Sequence, residues 1–194
     1  MSAKPSSSVT HERSARFEGS SPWSFGDRIK LLLWHFAWAC LCEWTPKPAN
    51  PWRLIILRLF GAEVHGKPFV HNRARIQIPW NLRLDHRASV GDRANLYSLG
   101  FIHLKEHCII AQEAYLCTGT HDMNHEAKPL ITAPITIGEH AFVAARAFVM
   151  PGVSIGNRAI VGACSVVIQD VNDRETVVGN PAKLITSKTK DHGK

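Results

Sequence analysis

The chain has 194 residues, 45% hydrophobic and 20% charged, which supplies one sizeable core and calls for no second domain. Its formal net charge of +7 suits anionic partners, yet no block of Lys and Arg dominates, so nucleic acid is not an expected partner. Five cysteines, Cys40, Cys42, Cys108, Cys117 and Cys164, lack CxxC spacing and any secreted disulfide framework, and they read as reduced thiols in a cytoplasmic protein.

Residues 1–22 are polar, Ser-rich and without periodicity, and are expected to form a flexible arm. A helical N-terminal segment is expected over 23–62. Its first part, GDRIKLLLWHFAWACLCEW, is apolar from Leu31 to Cys42 except for His35. That run falls short of the ~20 residues of a membrane span, and without a small-residue cleavage site it does not read as a signal peptide. Two readings stay open. The helix is buried against the main domain or a neighbouring subunit, or residues 27–44 make a peripheral contact with the inner membrane face. In the second reading Arg28 and Lys30 lie near headgroups and Trp34, Trp38 and Trp44 at the boundary. After the breaker TPKPANP, PWRLIILRLFGA predicts a short helix ending at Gly61, placed to cover the open end of the segment that begins near Val64.

From Val64 an aliphatic residue recurs every six positions, most clearly at Ile137, Val143, Val149, Ile155, Val161 and Val167. Earlier hexads such as VHGKPF, LDHRAS, VGDRAN, LYSLGF and LCTGTH follow the same frame, with two-residue slips before Leu84 and Leu104. The fifth position is nearly always small, at Ala74, Ala88, Ala94, Gly100, Cys108, Ala114, Thr120, Ala141, Ala147, Ala159 and Ser165, with Pro68 and Trp80 the main exceptions. A short strand and a tight turn, three times per coil, explain this period. The aliphatic residue stacks inside a triangular prism and the small one lets the chain turn a corner. Gly91, Gly138, Gly156 and Gly162, at the second position, are expected to serve backbone conformations that favour glycine. The prediction is a mainly β protein, a parallel β-helix over 63–172, followed by a C-terminal segment and charged tail over 173–194.

One departure breaks the repeat: DMNHEAKPLITAPIT, a loop expected over 122–136, with His121 at its base. A long loop on a rigid scaffold is a common place for function, and a strand end can hold an imidazole firmly.

The hexads, GTHD at 119–122, the loop and GNPAK at 179–183 together resemble the left-handed β-helix acyltransferases, which include galactoside, maltose and nodulation-factor O-acetyltransferases. The likeness is greatest to the colanic acid biosynthesis acetyltransferases, through LIILRLFGA at 54–62, PWNL at 79–82, NLYSLG at 95–100 and YLCTGTHD at 115–122. A left-handed coil is what the resemblance implies, since parallel crossovers are normally right-handed. So is the reaction, transfer of an acetyl group from acetyl-CoA to a hydroxyl of a sugar or exopolysaccharide precursor. An alcohol needs a general base near the working pH, and imidazole, at about 6.5, suits the task. His121 falls at the family's catalytic histidine. Asn95 matches an asparagine that lines the acceptor pocket, and Tyr97 is a candidate to stack on the acceptor; each has a structural alternative, as a turn or ladder residue and as packing. Asp122 either orients the base or faces solvent. The resemblance implies that the pantetheine arm of acetyl-CoA passes Ala111, Ala145, Ala163 and Ser165, with Lys183 meeting a CoA phosphate. Here Phe142 replaces a frequent tryptophan and Cys164 a frequent glycine. The resemblance also implies a homotrimer.

Two alternatives are kept. A zinc enzyme of the carbonic anhydrase kind would draw on His103, His107, His121 and His125, but His107 lies on the hexad exterior, His125 lies in the loop and the HD after TGT resembles the acyltransferase pattern, so no metal is expected. A non-catalytic β-helix scaffold for polysaccharide assembly would need no turnover.

Overall fold

The computed structural model describes residues 24–185, so the expected arm at 1–22 and the tail beyond 185 lie outside the described residues. The first helix, α1, spans Phe25–Leu41. A capping box starts it: the Asp27 amide donates to Ser24 Oγ at 3.1 Å and the Ser24 amide to Asp27 Oδ2 at 3.2 Å. Trp34 and Trp38, one turn apart, pack with their rings 5.2 Å apart and are buried against the prism. They are therefore not at a membrane boundary, as one reading of the sequence expected. The second helix, α2, spans Asn50–Leu59, and Gly61 follows it at φ +91°. It buries Leu54, Ile56 and Leu57.

From Glu63 the described chain winds into three parallel sheets, one strand of each per turn, interrupted by a separate two-stranded antiparallel pair over 119–132. One face carries 63–64, 82–84, 102–104, 135–137 and 154–155; the second 69–70, 89–90, 109–110, 142–143, 160–161 and 176–178; the third 75–76, 95–97, 115–117, 148–149 and 166–167. Columns of aliphatic residues line the interior, for instance Val70, Val90, Ile110, Val143 and Val161, each fully buried. Each such side chain contributes ~1.5–3 kcal/mol of burial. The coil continues past residue 172: Thr176–Val178 pairs with Ile160–Val161, and Lys183–Leu184 closes that sheet antiparallel.

The turn chemistry differs from the expectation. Gly91, Gly138 and Gly156 do not take positive φ; they are needed because adjacent coils approach closely. A Cβ on Gly138 would sit 2.5 Å from the carbonyl carbon of Gly156, and one on Gly156 2.5 Å from the amide of Asp173. Left-handed backbone falls instead on the fourth position, at Arg87, Arg93, His107, Glu113, His140, Arg146, Arg158 and Cys164, with φ between 53° and 59°. Each non-glycine residue there gives up ~1–2 kcal/mol. The small fifth residue is buried in most hexads, but Gly100 and Thr120 do not fill corners; in those coils the buried residues are Ser98 and Thr118.

The first coil has no coil before it, and the two helices supply its missing partners. Arg58 Nη2 donates to the Val64 carbonyl at 3.2 Å on the first face. On the second face the Val70 amide donates to Asn50 Oδ1 at 2.9 Å, and Arg53 Nε donates to the Val70 carbonyl at 2.9 Å. Trp34 Nε1 donates to the Ile76 carbonyl at 2.8 Å on the third. The helical segment thus caps three open sheet edges at once.

Candidate active site

Ser98 and Thr118 mark the corner where the chain leaves the prism. Thr118 Oγ1 accepts the Gly100 amide at 2.8 Å and donates to the Tyr97 carbonyl at 2.6 Å, anchoring the point of departure. From there Gly119–His121 pairs antiparallel with Leu130–Thr132, and the coil resumes at Ile135. The expected loop at 122–136 is therefore a β-hairpin with a tip over 122–129.

His121 ends the outgoing strand, and its side chain is exposed. Its Nδ1 lies 2.7 Å from the carbonyl oxygen of Lys128 on the returning side. A carbonyl only accepts, so Nδ1 is the donor, and in the neutral imidazole the lone pair falls on Nε2. Asp122 does not orient the imidazole: its Oδ1 accepts the Asn124 amide at 3.0 Å and shapes the hairpin tip. The Lys128 carbonyl could not be singled out from sequence, because every residue carries one.

Asn95 and Tyr97 share one strand of the third face, both half-buried. Asn95 stands in register with Tyr115, and Tyr97 with Cys117. The Tyr97 ring lies 6.0 Å from that of Tyr115, which stacks on Phe148 at 4.8 Å. Burial, then the neighbouring Cys117 and Tyr97, push the Tyr115 hydroxyl above its ordinary pKa, so it stays neutral. This aromatic ladder was not anticipated; the in-frame aromatics Tyr115 and Phe148 were its signal. Tyr97, half-buried, stands at one end of the ladder.

Ala111, Ala145 and Ala163 fall on successive coils at the corner between the second and third faces. Ala145 and Ala163 occupy equivalent turn positions, tied by the Cys164 amide donating to the Ala145 carbonyl at 3.0 Å. Ala111 sits one position earlier in its turn. Cys164, at φ +58°, takes a left-handed conformation natural to the glycine it replaces. The Ser165 side chain leaves the proposed cofactor set: it is fully buried, and its hydroxyl accepts the Gly179 amide at 3.0 Å. Lys183 is exposed on the last strand, near the C-terminal end of the same sheet.

The four histidines weighed as zinc ligands stand on separate features. His103 Nε2 is 2.6 Å from Asp85 Oδ2, and His107 stacks on His140 at 4.7 Å. His125 Nδ1 accepts the Ala127 amide at 3.2 Å in the hairpin tip. Among the described residues, no group of three or more His, Cys, Asp or Glu is placed to hold a metal ion.

A three-faced coil of hexads with one extruded hairpin defines a class, and the comparisons agree with it. The family model for bacterial transferase hexapeptide (six repeats) matches residues 134–169. The chain belongs to the hexapeptide-repeat acetyltransferases, whose fold is the left-handed β-helix. It is 39% identical over 163 residues to the putative colanic acid biosynthesis acetyltransferase WcaF of Escherichia coli, covering 84% of this chain and 90% of the relative. To the galactoside O-acetyltransferase of Escherichia coli it is 25% identical over 175 residues, covering 87% of this chain and 72% of the relative. Among solved structures, a hexapeptide-repeat acetyltransferase of Vibrio cholerae complexed with acetyl coenzyme A superposes with a TM-score of 0.77 at 21% identity, over 88% of this chain and 92% of that one. A galactoside acetyltransferase in complex with coenzyme A gives 0.69 at 18% identity, over 86% and 84%.

Proposed function

We propose that this chain moves an acetyl group from acetyl-CoA to a hydroxyl of a saccharide, with His121 as general base. The hydrogen bond between His121 Nδ1 and the Lys128 carbonyl carries this reading, because it leaves Nε2 as the basic atom on a rigid hairpin base. Nε2 takes the hydroxyl proton as the oxygen bonds to the thioester carbonyl carbon. The C–S bond then breaks, and the imidazolium returns the proton to the CoA thiolate. The acetyl-CoA and coenzyme A complexes of structurally similar proteins support the donor, and the WcaF and galactoside relatives support a saccharide acceptor.

Asn95 and Tyr97 are the proposed acceptor contacts. Ala111, Ala145 and Ala163 are proposed to let the pantetheine arm approach the backbone, and Lys183 to meet a phosphate. His121 is exposed in a single chain, whereas a thioester is best handled in a closed site. A homotrimer with the active site between neighbouring prisms would provide that closure.

Acetyl-CoA consumption against a panel of free sugars, nucleotide sugars and lipid-linked saccharides tests the reaction; no transfer to any of them counts against it. Mixing chains inactivated at His121 with chains inactivated at Asn95 tests the shared site. Activity above either parent supports contributions from two chains, and a fully active monomer overturns the trimer.

A further inference from the structure

Helix α1 has two apolar faces. With about 3.6 residues per turn, Leu31, Trp34 and Trp38 fall on one face, and they are the residues withdrawn from solvent. Phe25, Ile29, Leu32, Leu33 and Phe36 fall on the opposite face and are 79%, 44%, 70%, 55% and 67% exposed. The second helix repeats the arrangement: Leu54 and Leu57 face the prism, while Trp52, Ile55 and Leu59 stand outward. Trp44 and Trp52 join the two stripes. The Trp44 indole donates to the Cys40 carbonyl at 2.7 Å and the Trp52 indole to the Leu41 carbonyl at 2.9 Å. Both indole N–H groups are therefore satisfied within the protein, while the rings remain exposed. Contiguous apolar surface on this scale marks an interaction site.

The charges around it have one dominant sign. Residues 24–60 expose Arg28, Lys30, Lys47 and Arg58 against Glu43 and a half-buried Asp27 that is engaged in the helix cap. On the helical wheel Arg28 and Lys30 border the outward stripe of α1 on either side, the Lys30 ammonium lying 3.9 Å from the Trp80 ring centroid, and no acid lies within the stripe. The chain's own ends are poor covers. Residues 1–23 hold only Met1, Val9, Phe17 and Trp23 as large apolar residues, and 186–194 hold none. No described helix is long and apolar enough to cross a membrane. An outward face of Phe, Leu and Trp with basic margins is the composition of a helix that lies in the bilayer interface.

We propose that the outward face of the two N-terminal helices docks on an anionic lipid bilayer, with both helices lying in the plane of the interface. The surface is not the apolar run as a whole, since Trp34 and Trp38 hold the prism. It is the opposite stripe, continued through Trp44 onto α2.

The full chain should co-sediment with vesicles of phosphatidylglycerol and phosphatidylethanolamine, and about tenfold less with neutral phosphatidylcholine vesicles. Leu32→Ser with Phe36→Ser, and separately Trp44→Ser with Leu59→Ser, should each cut binding about tenfold or more while the melting temperature is retained. Two variant pairs on different elements guard against a local folding defect. Wild-type chain that stays in the supernatant with anionic vesicles overturns the proposal, as does undiminished binding by both folded variant pairs. If either pair instead dissociates a native oligomer and no vesicle binding is seen, a second copy of the chain covers this face and the membrane proposal fails. The assay needs neither acetyl-CoA nor acceptor, so its failure leaves the proposed reaction standing, and failure of the reaction leaves it intact.

Discussion

Arg53→Met tests whether the helical segment is a true cap of the prism. Arg53 is fully buried, and no carboxylate pairs with it. Nε donates to the Val70 carbonyl at 2.9 Å, Nη1 to Thr45 Oγ1 and the Pro46 carbonyl at 2.9 Å each, and Nη2 to the Lys47 carbonyl at 3.2 Å. Methionine keeps most of the apolar stem but donates nothing. Pro46 and Lys47 are exposed, so water can replace their bonds; Thr45 keeps its hydroxyl bond to the Cys42 carbonyl, and the buried Val70 carbonyl is the group left without a partner. One unsatisfied buried group at ~1–3 kcal/mol, with the lost bond to Thr45 at ~0.5–1.5 kcal/mol, gives about 1.5–4.5 kcal/mol. Removing the burial cost of the guanidinium, which also lowers the Arg53 pKa, returns part of this and leaves about 1–3 kcal/mol. Urea unfolding followed by tryptophan fluorescence measures the loss, and hydrogen exchange should localise it to 45–70. A loss below about 1 kcal/mol would refute the capping argument.

Three further outcomes rest on the same geometry. Gly156→Ala should destabilise by about 1–3 kcal/mol through backbone clash, whereas Arg158→Gly, two residues on at φ +57°, should be neutral or slightly stabilising; urea midpoints compare them. Burial pushes the Cys42 thiol up to about 11 and Cys108 up to about 12, and it raises Cys117, so a thiol reagent should react fast only at exposed Cys40 and Cys164; rapid labelling of Cys42 or Cys108 contradicts this. Burial raises the Asp85 pKa, but hydrogen bonds from His103 and Arg83 outweigh it and hold the carboxyl below 3.8. Its stabilising contribution is present above that value and fades as pH falls through the folded pKa, so the deficit of Asp85→Asn should shrink between pH 7 and about pH 3 in urea unfolding, and an equal deficit at both contradicts it.

The prism was legible because its core is a column. Val70, Val90, Ile110, Val143 and Val161 each recur at a fixed place in the hexad, and a one-dimensional period survives in one sequence. What the period could not reveal depends on neighbours far along the chain. Gly156 is glycine because Asp173 lies behind it, and Ser98 fills a corner only once the two-residue insertion shifts the frame. The faces of α1 were hidden for a different reason: with apolar residues on both sides, composition alone could not tell Trp34, which packs on the prism, from Leu32, which faces out. His121 stands out in the sequence by its place at the base of the departure from the repeat. The carbonyl that fixes its tautomer came only with the hairpin pairing of His121 and Leu130.

The proposed reaction turns on one nitrogen, and His121→Ala tests it most directly. With an acceptor found in the panel, turnover should fall by about 10²–10⁴ while acetyl-CoA binding measured by calorimetry stays at the parent value. Parental turnover in the folded variant would contradict His121 as the base and, with it, the account of the hairpin as the catalytic element.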